Sequence, residues 1–109
     1  MQSRPRRNRQ SKSIRSLVRE TVLSPSDFVL PLFITEGTNV QEPILSMPGI
    51  SRYSIDEAIK VAKRAFELGI MGVALFPKID DKLKDSQASL SRDEENLNCR
   101  AIKAIKSAV

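Results

Sequence analysis

The sequence has no histidine and only one cysteine, Cys99, among its 109 residues. From its own residues the chain can therefore assemble neither a disulfide framework nor a Cys/His zinc cluster. This low cysteine content fits a reducing, cytoplasmic location best. Long hydrophobic runs are also missing, since the longest, residues 28–34 and 70–77, fall far below the roughly 18 to 20 residues that span a bilayer. An apolar segment typical of a secretory signal is absent as well. We therefore expect no membrane partner.

Acidic residues are absent from the first nineteen positions, which carry seven basic side chains: Arg4, Arg6, Arg7, Arg9, Lys12, Arg15 and Arg19. Since the whole chain has 18 basic and 13 acidic residues, the part from Glu20 onwards holds eleven basic residues against thirteen acidic ones. The net charge of +5 therefore belongs to an N-terminal arm, residues 1–26, and the rest of the chain is slightly acidic.

The basic arm is open to several interpretations, and an alternative function for the chain is that of a small basic-armed module that binds nucleic acid or an acidic partner. A track for single-stranded nucleic acid alternates basic with aromatic side chains, whereas the first aromatic residue here is Phe28. An organellar transit peptide is also Arg-rich and acid-poor, but no amphipathic helix is visible before Ile14. The arm could equally be a simple disordered tail, since it has little apolar content with which to fold alone.

A grip on another protein fits the arm better than these alternatives. Arginine binds carboxylates through two parallel hydrogen bonds, and twenty extended residues reach roughly 65 Å at about 3.3 Å each. We therefore expect the arm to lie across a neighbouring subunit of a homo-oligomer rather than on nucleic acid. The candidate interface residues are Arg4, Arg6, Arg7, Arg9 and Arg15, with Ile14, Leu17 and Val18 supplying apolar contact.

Residues 27–109 show a strand–helix–strand–helix pattern, preceded by a short helix predicted over 13–23. Continuous apolar runs at 28–34 and 70–76 predict two parallel strands covered on both faces, although Pro31 belongs at a sheet edge. The intervening residues 35–53 have the Gly, Pro and Ser content of a loop, with Gly37 and Gly49 as turn residues.

Two capping boxes predict where the longer helices start. Ser54 with Glu57 opens a helix that Gly69 ends, and Ser91 with Glu94 opens another that continues to Val109. Between them, residues 77–91 form a polar loop. The apolar stripe of the last helix comprises Leu97, Ala101, Ile105 and Ala108.

Two parallel strands cannot cover their own edges or both of their faces. The chain is therefore expected to be part of a larger α/β fold. An eight-stranded (β/α)₈ barrel would need four such pieces, roughly 250 residues in all.

Four stretches together resemble the N-terminal third of porphobilinogen synthase, also called delta-aminolevulinic acid dehydratase. They are "RPRRNRQSKSIRSLVRETVLSPSDFVLPLFITEG", "SMPGISRYSIDE", "LGIMGVALFP" and "KDSQAS". The resemblance runs from Arg4 to Val109. It implies an α/β fold of the TIM-barrel type, of which this chain is the arm plus about two βα units. It also implies an arm that wraps a neighbouring subunit, commonly within a homo-octamer.

In that family, two 5-aminolevulinate molecules are condensed into porphobilinogen with loss of two waters, an early step towards haem and other porphyrins. The resemblance implies a lyase whose two Schiff-base lysines have no counterpart in this chain. The resemblance also implies a metal cofactor for the intact enzyme, either magnesium or zinc, and the "LFP" ending of the second strand favours magnesium. The family's ligands for either metal are expected beyond Val109. We therefore expect no catalytic, cofactor-binding or metal-binding residue in this chain, and no activity from the chain alone.

Some residues outside the arm invite a chemical role that their surroundings oppose. Lys78 follows the second strand but stands among carboxylates, which would keep its amine protonated, so a solvated surface lysine is the better interpretation. The carboxylates Asp80, Asp81 and Asp85 lack the spacing of a metal loop. For Cys99, a small helix-packing residue is favoured over a nucleophile, because no histidine is available as its base. In this loop Gln87 also departs from the family pattern, in which glycine is common.

Overall fold

The computed structural model describes residue 3 and residues 5–109, and it has an α/β fold. One mixed four-stranded sheet has the strand order β2-β3-β1-β4 and carries two longer helices. The strands are β1 (Val29–Ile34), β2 (Gln41–Pro43), β3 (Ser51–Tyr53) and β4 (Gly72–Pro77), and the helices are α1 (Lys12–Leu17), α2 (Ile55–Glu67) and α3 (Leu97–Ala108).

We call residues 27–109 the body of the chain. Its centre is the unit β1–α2–β4. Strands β1 and β4 pair in parallel over six residues each, from Val29 opposite Gly72 to Ile34 opposite Pro77, which confirms the predicted parallel arrangement. Helices α2 and α3 lie against one face of these strands, where alternate β1 side chains, Leu32 and Ile34, are buried. The remaining core residues are Ile44, Ala58, Ala62, Ala65, Leu97, Ala101 and Ile105.

The opposite face of the sheet is open. Val29 is 62% exposed and Phe76 is 50% exposed, whereas Ile34 on the helix side is fully buried. Both helices pack on the same side, so within the described residues only one face is covered, in keeping with the expectation that these strands belong to a larger α/β fold. Pro31 lies on the open face. Within the described residues, β3 pairs with β1 at Phe33 and Ile34 alone, so the stretch of β1 that contains Pro31 is paired with β4 and not with β3.

A β-hairpin lies where the sequence predicted a loop. Strands β2 and β3 are antiparallel, from Gln41 opposite Tyr53 to Pro43 opposite Ser51, and β3 extends the sheet beside β1. Each strand has three residues, and one residue of each is charged, Glu42 in β2 and Arg52 in β3. The apolar pattern that marks a strand is therefore missing. Gly37 and Gly49 do have positive φ angles of 118° and 82°, which confirms them as turn residues.

Helix α2 follows Ser54 and ends before Gly69, whose φ of 89° confirms the predicted stop. The predicted capping box is wrong, however, because the Ser54 hydroxyl makes no cap bond. The hydroxyl instead accepts a hydrogen bond from the Val40 backbone N–H at 2.9 Å and donates to Asp56. Asp56 in turn accepts from the Asn39 N–H at 2.8 Å. These hydrogen bonds among Asn39, Val40, Ser54 and Asp56, here called the clasp, join the hairpin to the start of α2.

Helix α3 begins at Leu97 rather than after Ser91. The Asn96 side chain caps it by accepting from the Cys99 N–H at 2.8 Å, whereas the Ser91 hydroxyl donates to the Ala88 carbonyl instead. The preceding segment, residues 78–96, contains two short 3₁₀ turns, Asp81–Leu83 and Ser89–Arg92. The predicted stripe is confirmed at Leu97, Ala101 and Ile105, which are buried, while Ala108 is half-buried.

The arm projects from this body. The radius of gyration is 20.8 Å, whereas a compact chain of this length is expected to have a radius of gyration of about 13 Å. The chain extends 61 Å along its longest axis. Helix α1 ends at Leu17 and not at residue 23, because a helix this short is marginal without packing and the side chains that follow, including Val22 and Leu23, are exposed. Among the described residues, no helix is both long and apolar enough to cross a membrane.

Candidate functional site

The basic residues of the arm are held away from the body. Arg6, Arg7, Arg9 and Arg15 are exposed, and none forms an ion pair with an acidic side chain among the described residues. Arg4, the remaining candidate, lies outside the described residues. Guanidinium groups in this state keep all their hydrogen-bond donors available to an external carboxylate.

The apolar residues of the arm are similarly uncovered. Ile14 and Leu17 lie on α1 and Val18 caps its end; Leu17 is 85% exposed, Val18 is exposed and Ile14 is half-buried. The structure thus brings all seven described candidates into one projecting segment. Apolar side chains beside free arginines form a surface that contains both ingredients of a protein interface.

The base of the arm is fixed where it meets the body. Pro25 lies so close to the end of α2 that a Cβ on Gly69 would stand 3.1 Å from the proline Cβ. Ser24 donates its backbone N–H to Asp27 at 2.7 Å, which shapes the 3₁₀ turn Pro25–Asp27 just before β1. The arm therefore departs from a defined point beside the amino end of the parallel strands.

Charged side chains connect the segments that lie at the carboxyl ends of the parallel strands β1 and β4. The Lys78 amine lies 3.4 Å from both carboxylate oxygens of Glu42, and the same carboxylate lies 3.6 Å from the Arg52 guanidinium. Glu42 thus links the hairpin to the segment that follows β4. Lys78 is exposed, as predicted, and lacks the apolar pocket that a Schiff-base amine requires.

A second ion pair fixes the start of α3. The Arg100 guanidinium pairs with Glu36, which follows β1, and its Nε donates to the Glu95 carbonyl at 3.0 Å. Sequence reasoning missed both this pair and the Glu42 pairs, since each joins residues 10 to 64 positions apart. The available signal was that Glu36 and Arg52 fall inside the stretches "PLFITEG" and "SMPGISRYSIDE" that carry the family resemblance.

The three loop carboxylates serve their own segment. Asp80 accepts from the Lys82 N–H at 3.1 Å, and the hydrogen bond and charge of Lys84 hold the pKa of Asp81 below its usual value. Hydrogen bonds from Ser89 also lower the pKa of Asp85, and the hydroxyl of Ser89 contributes more to this shift than its backbone N–H. Within residue 3 and residues 5–109, no three His, Cys, Asp or Glu side chains come together as metal ligands. These residues therefore do not fit a metal site.

Cys99 lies half-buried near the start of α3, beside a cavity of about 460 Å³. The cavity separates this helix from the 78–96 segment and is lined mainly by apolar side chains, among them Pro77, Ile79, Leu83 and Leu90. The Oδ1 atom of the neighbouring Asn98 is buried and has no hydrogen-bond partner within the described part of the chain. Cys99 is thus a partly packed helical residue. Among the described residues that line the cavity with it, Lys84 and Asp85 are the charged ones.

Comparison with known proteins identifies the family. Residues 2–109 match the family model of delta-aminolevulinic acid dehydratase. The chain belongs to this family. The resemblance found in its sequence motifs is confirmed, and the alternative of a small basic module for nucleic acid or an acidic partner gains no support.

Individual dehydratases of this family align with nearly the whole chain. The delta-aminolevulinic acid dehydratase of Bradyrhizobium diazoefficiens is 47% identical over 94% of the chain, and that of Chlamydia pneumoniae is 45% identical over 96%. A crystal structure of the Toxoplasma gondii enzyme, solved in complex with its reaction product porphobilinogen, matches 99% of the chain with a TM-score of 0.87 and 42% identity. The chain spans 29% and 32% of the two sequence relatives and 30% of the crystallised chain.

Proposed function

We propose that this chain forms the N-terminal third of a porphobilinogen synthase, a lyase (dehydratase) that condenses two 5-aminolevulinate molecules into porphobilinogen with loss of two waters. The observation that carries the proposal is the 42% identity and TM-score of 0.87 to the Toxoplasma gondii enzyme, whose crystal structure contains porphobilinogen. The longer protein would act in porphyrin and haem biosynthesis.

Within that protein, the body would supply the first two βα units of a TIM barrel. The open face of the sheet supports this role, as does the outer edge of β4, which pairs with no strand among the described residues. Apolar strands of this kind need a further strand and a second covering layer. In such barrels the carboxyl ends of the strands carry the active site. The pairs of Glu42 with Lys78 and of Glu36 with Arg100 would then hold the segments that border it.

The chemistry itself would come from residues outside this chain. The exposed Lys78 is unsuited to Schiff-base formation, and the described carboxylates do not fit a metal site. The magnesium or zinc of the intact enzyme would therefore be bound by other parts of the longer protein. We expect the 109-residue chain alone to form no porphobilinogen. We assign the longer protein to the cytoplasm because the part of it given by this chain contains a single cysteine.

The arm would grip a neighbouring subunit in a homo-oligomer, commonly an octamer in this family. Exposed arginines would bind carboxylates of the neighbour, and Ile14, Leu17 and Val18 would bury apolar surface against it. The described candidate residues, apart from the half-buried Ile14, are exposed in the single chain, which supports a partner outside the subunit.

A chimera tests the proposed function directly. The aligned N-terminal part of the Bradyrhizobium diazoefficiens enzyme would be replaced by residues 2–109 of this chain, and porphobilinogen formation from 5-aminolevulinate would be measured. We expect the chimera to retain activity, since the two segments are 47% identical. The unmodified Bradyrhizobium diazoefficiens enzyme is the positive control, and the 109-residue chain alone is the negative control.

The contradicting outcome is equally specific. A chimera that is soluble, folded by circular dichroism and of the same oligomeric mass as the parent, yet inactive, would show that this chain cannot replace the corresponding segment. Porphobilinogen production by the 109-residue chain alone would refute the assignment of the chemistry to other parts of the protein.

A further inference from the structure

We draw no further inference here: the strongest candidate, the cavity of about 460 Å³ between the 78–96 segment and the start of α3, combines a mainly apolar lining with a lone cysteine, and nothing in the structure shows what occupies it.

Discussion

The arm and the body of this chain use similar apolar residues in opposite ways. In the body, alternate side chains of β1 and one stripe of α3 are buried, and Ile34 is fully enclosed. In the arm, Leu17, Val22 and Leu23 remain largely exposed although they are just as apolar. The difference is one of available partners: a residue of the body finds its contacts within the chain, whereas a residue of the arm has to find them elsewhere.

The largest expected effect is the loss of assembly when the arm is shortened. Deletion of residues 2–13 from the chimera removes Arg4, Arg6, Arg7 and Arg9, and we expect a smaller oligomer by sedimentation while the fold of each subunit is retained. Replacement of the same four arginines by glutamine is the matched variant, since it keeps the length of the arm. An unchanged oligomer in both variants would contradict the interface assigned to the arm.

The second prediction compares the core with the arm by one type of substitution. Ile34→Ala leaves a cavity beneath α2 and α3 and is expected to lower the free energy of unfolding by about 2–5 kcal/mol. Leu17→Ala in the arm is expected to change it by less than about 0.5 kcal/mol in the monomeric chain, where no neighbouring subunit covers Leu17. Urea denaturation followed by circular dichroism measures both. Equal effects would mean that Leu17 is packed within the subunit.

The third prediction concerns the clasp between the hairpin and α2. Ser54→Ala leaves the Val40 N–H without its side-chain acceptor and removes the donor to Asp56, which is expected to cost about 1–3 kcal/mol of unfolding free energy. Ser46→Ala, at an exposed position in the hairpin turn, is the control and should be nearly neutral. Hydrogen exchange would show whether the loss is concentrated in β2 and β3, where the clasp acts.

The parts of the fold that could be predicted from sequence are those whose pattern is local. Helix α2 has apolar residues at helical spacing and a terminating Gly69, and the two long strands are uninterrupted apolar runs, so all three were predicted to within about two residues of each end. The β2–β3 hairpin was not predictable in this way, since its strands are short and polar and depend on pairing with β1 and on the distant Ser54.

The capping boxes failed for a related physical reason. A serine at a helix start has one hydroxyl, and the three-dimensional contacts decide which partner it bonds. At Ser54 the Val40 N–H, 14 residues away, takes the place of the local cap, and at Asn96 a better-placed side chain moves the start of α3 beyond Ser91. The family itself was recognisable from motifs, while the ion pairs of Glu42 and Glu36 became visible only in the folded chain.

The smallest expected effect is a pH dependence that distinguishes the clasp from the rest of the surface. Hydrogen bonds from Ser54 and then from the Asn39 N–H lower the pKa of Asp56 below its usual value. Because the folded-state pKa is the lower one, this carboxylate stabilises the fold above the unfolded-state pKa of about 3.9, and the contribution is lost as the pH falls through the folded-state pKa.

Asp56→Asn should therefore flatten the loss of stability on acidification below about pH 4, as measured by thermal unfolding at a series of pH values. Glu94→Gln is the matched control, because this exposed carboxylate has no hydrogen bond or ion pair with the described residues. A control that flattens the profile as strongly as Asp56→Asn would place the acid sensitivity in the net charge of the body. If only Asp56→Asn does so, the acid sensitivity lies in the contact that joins the hairpin to the start of α2.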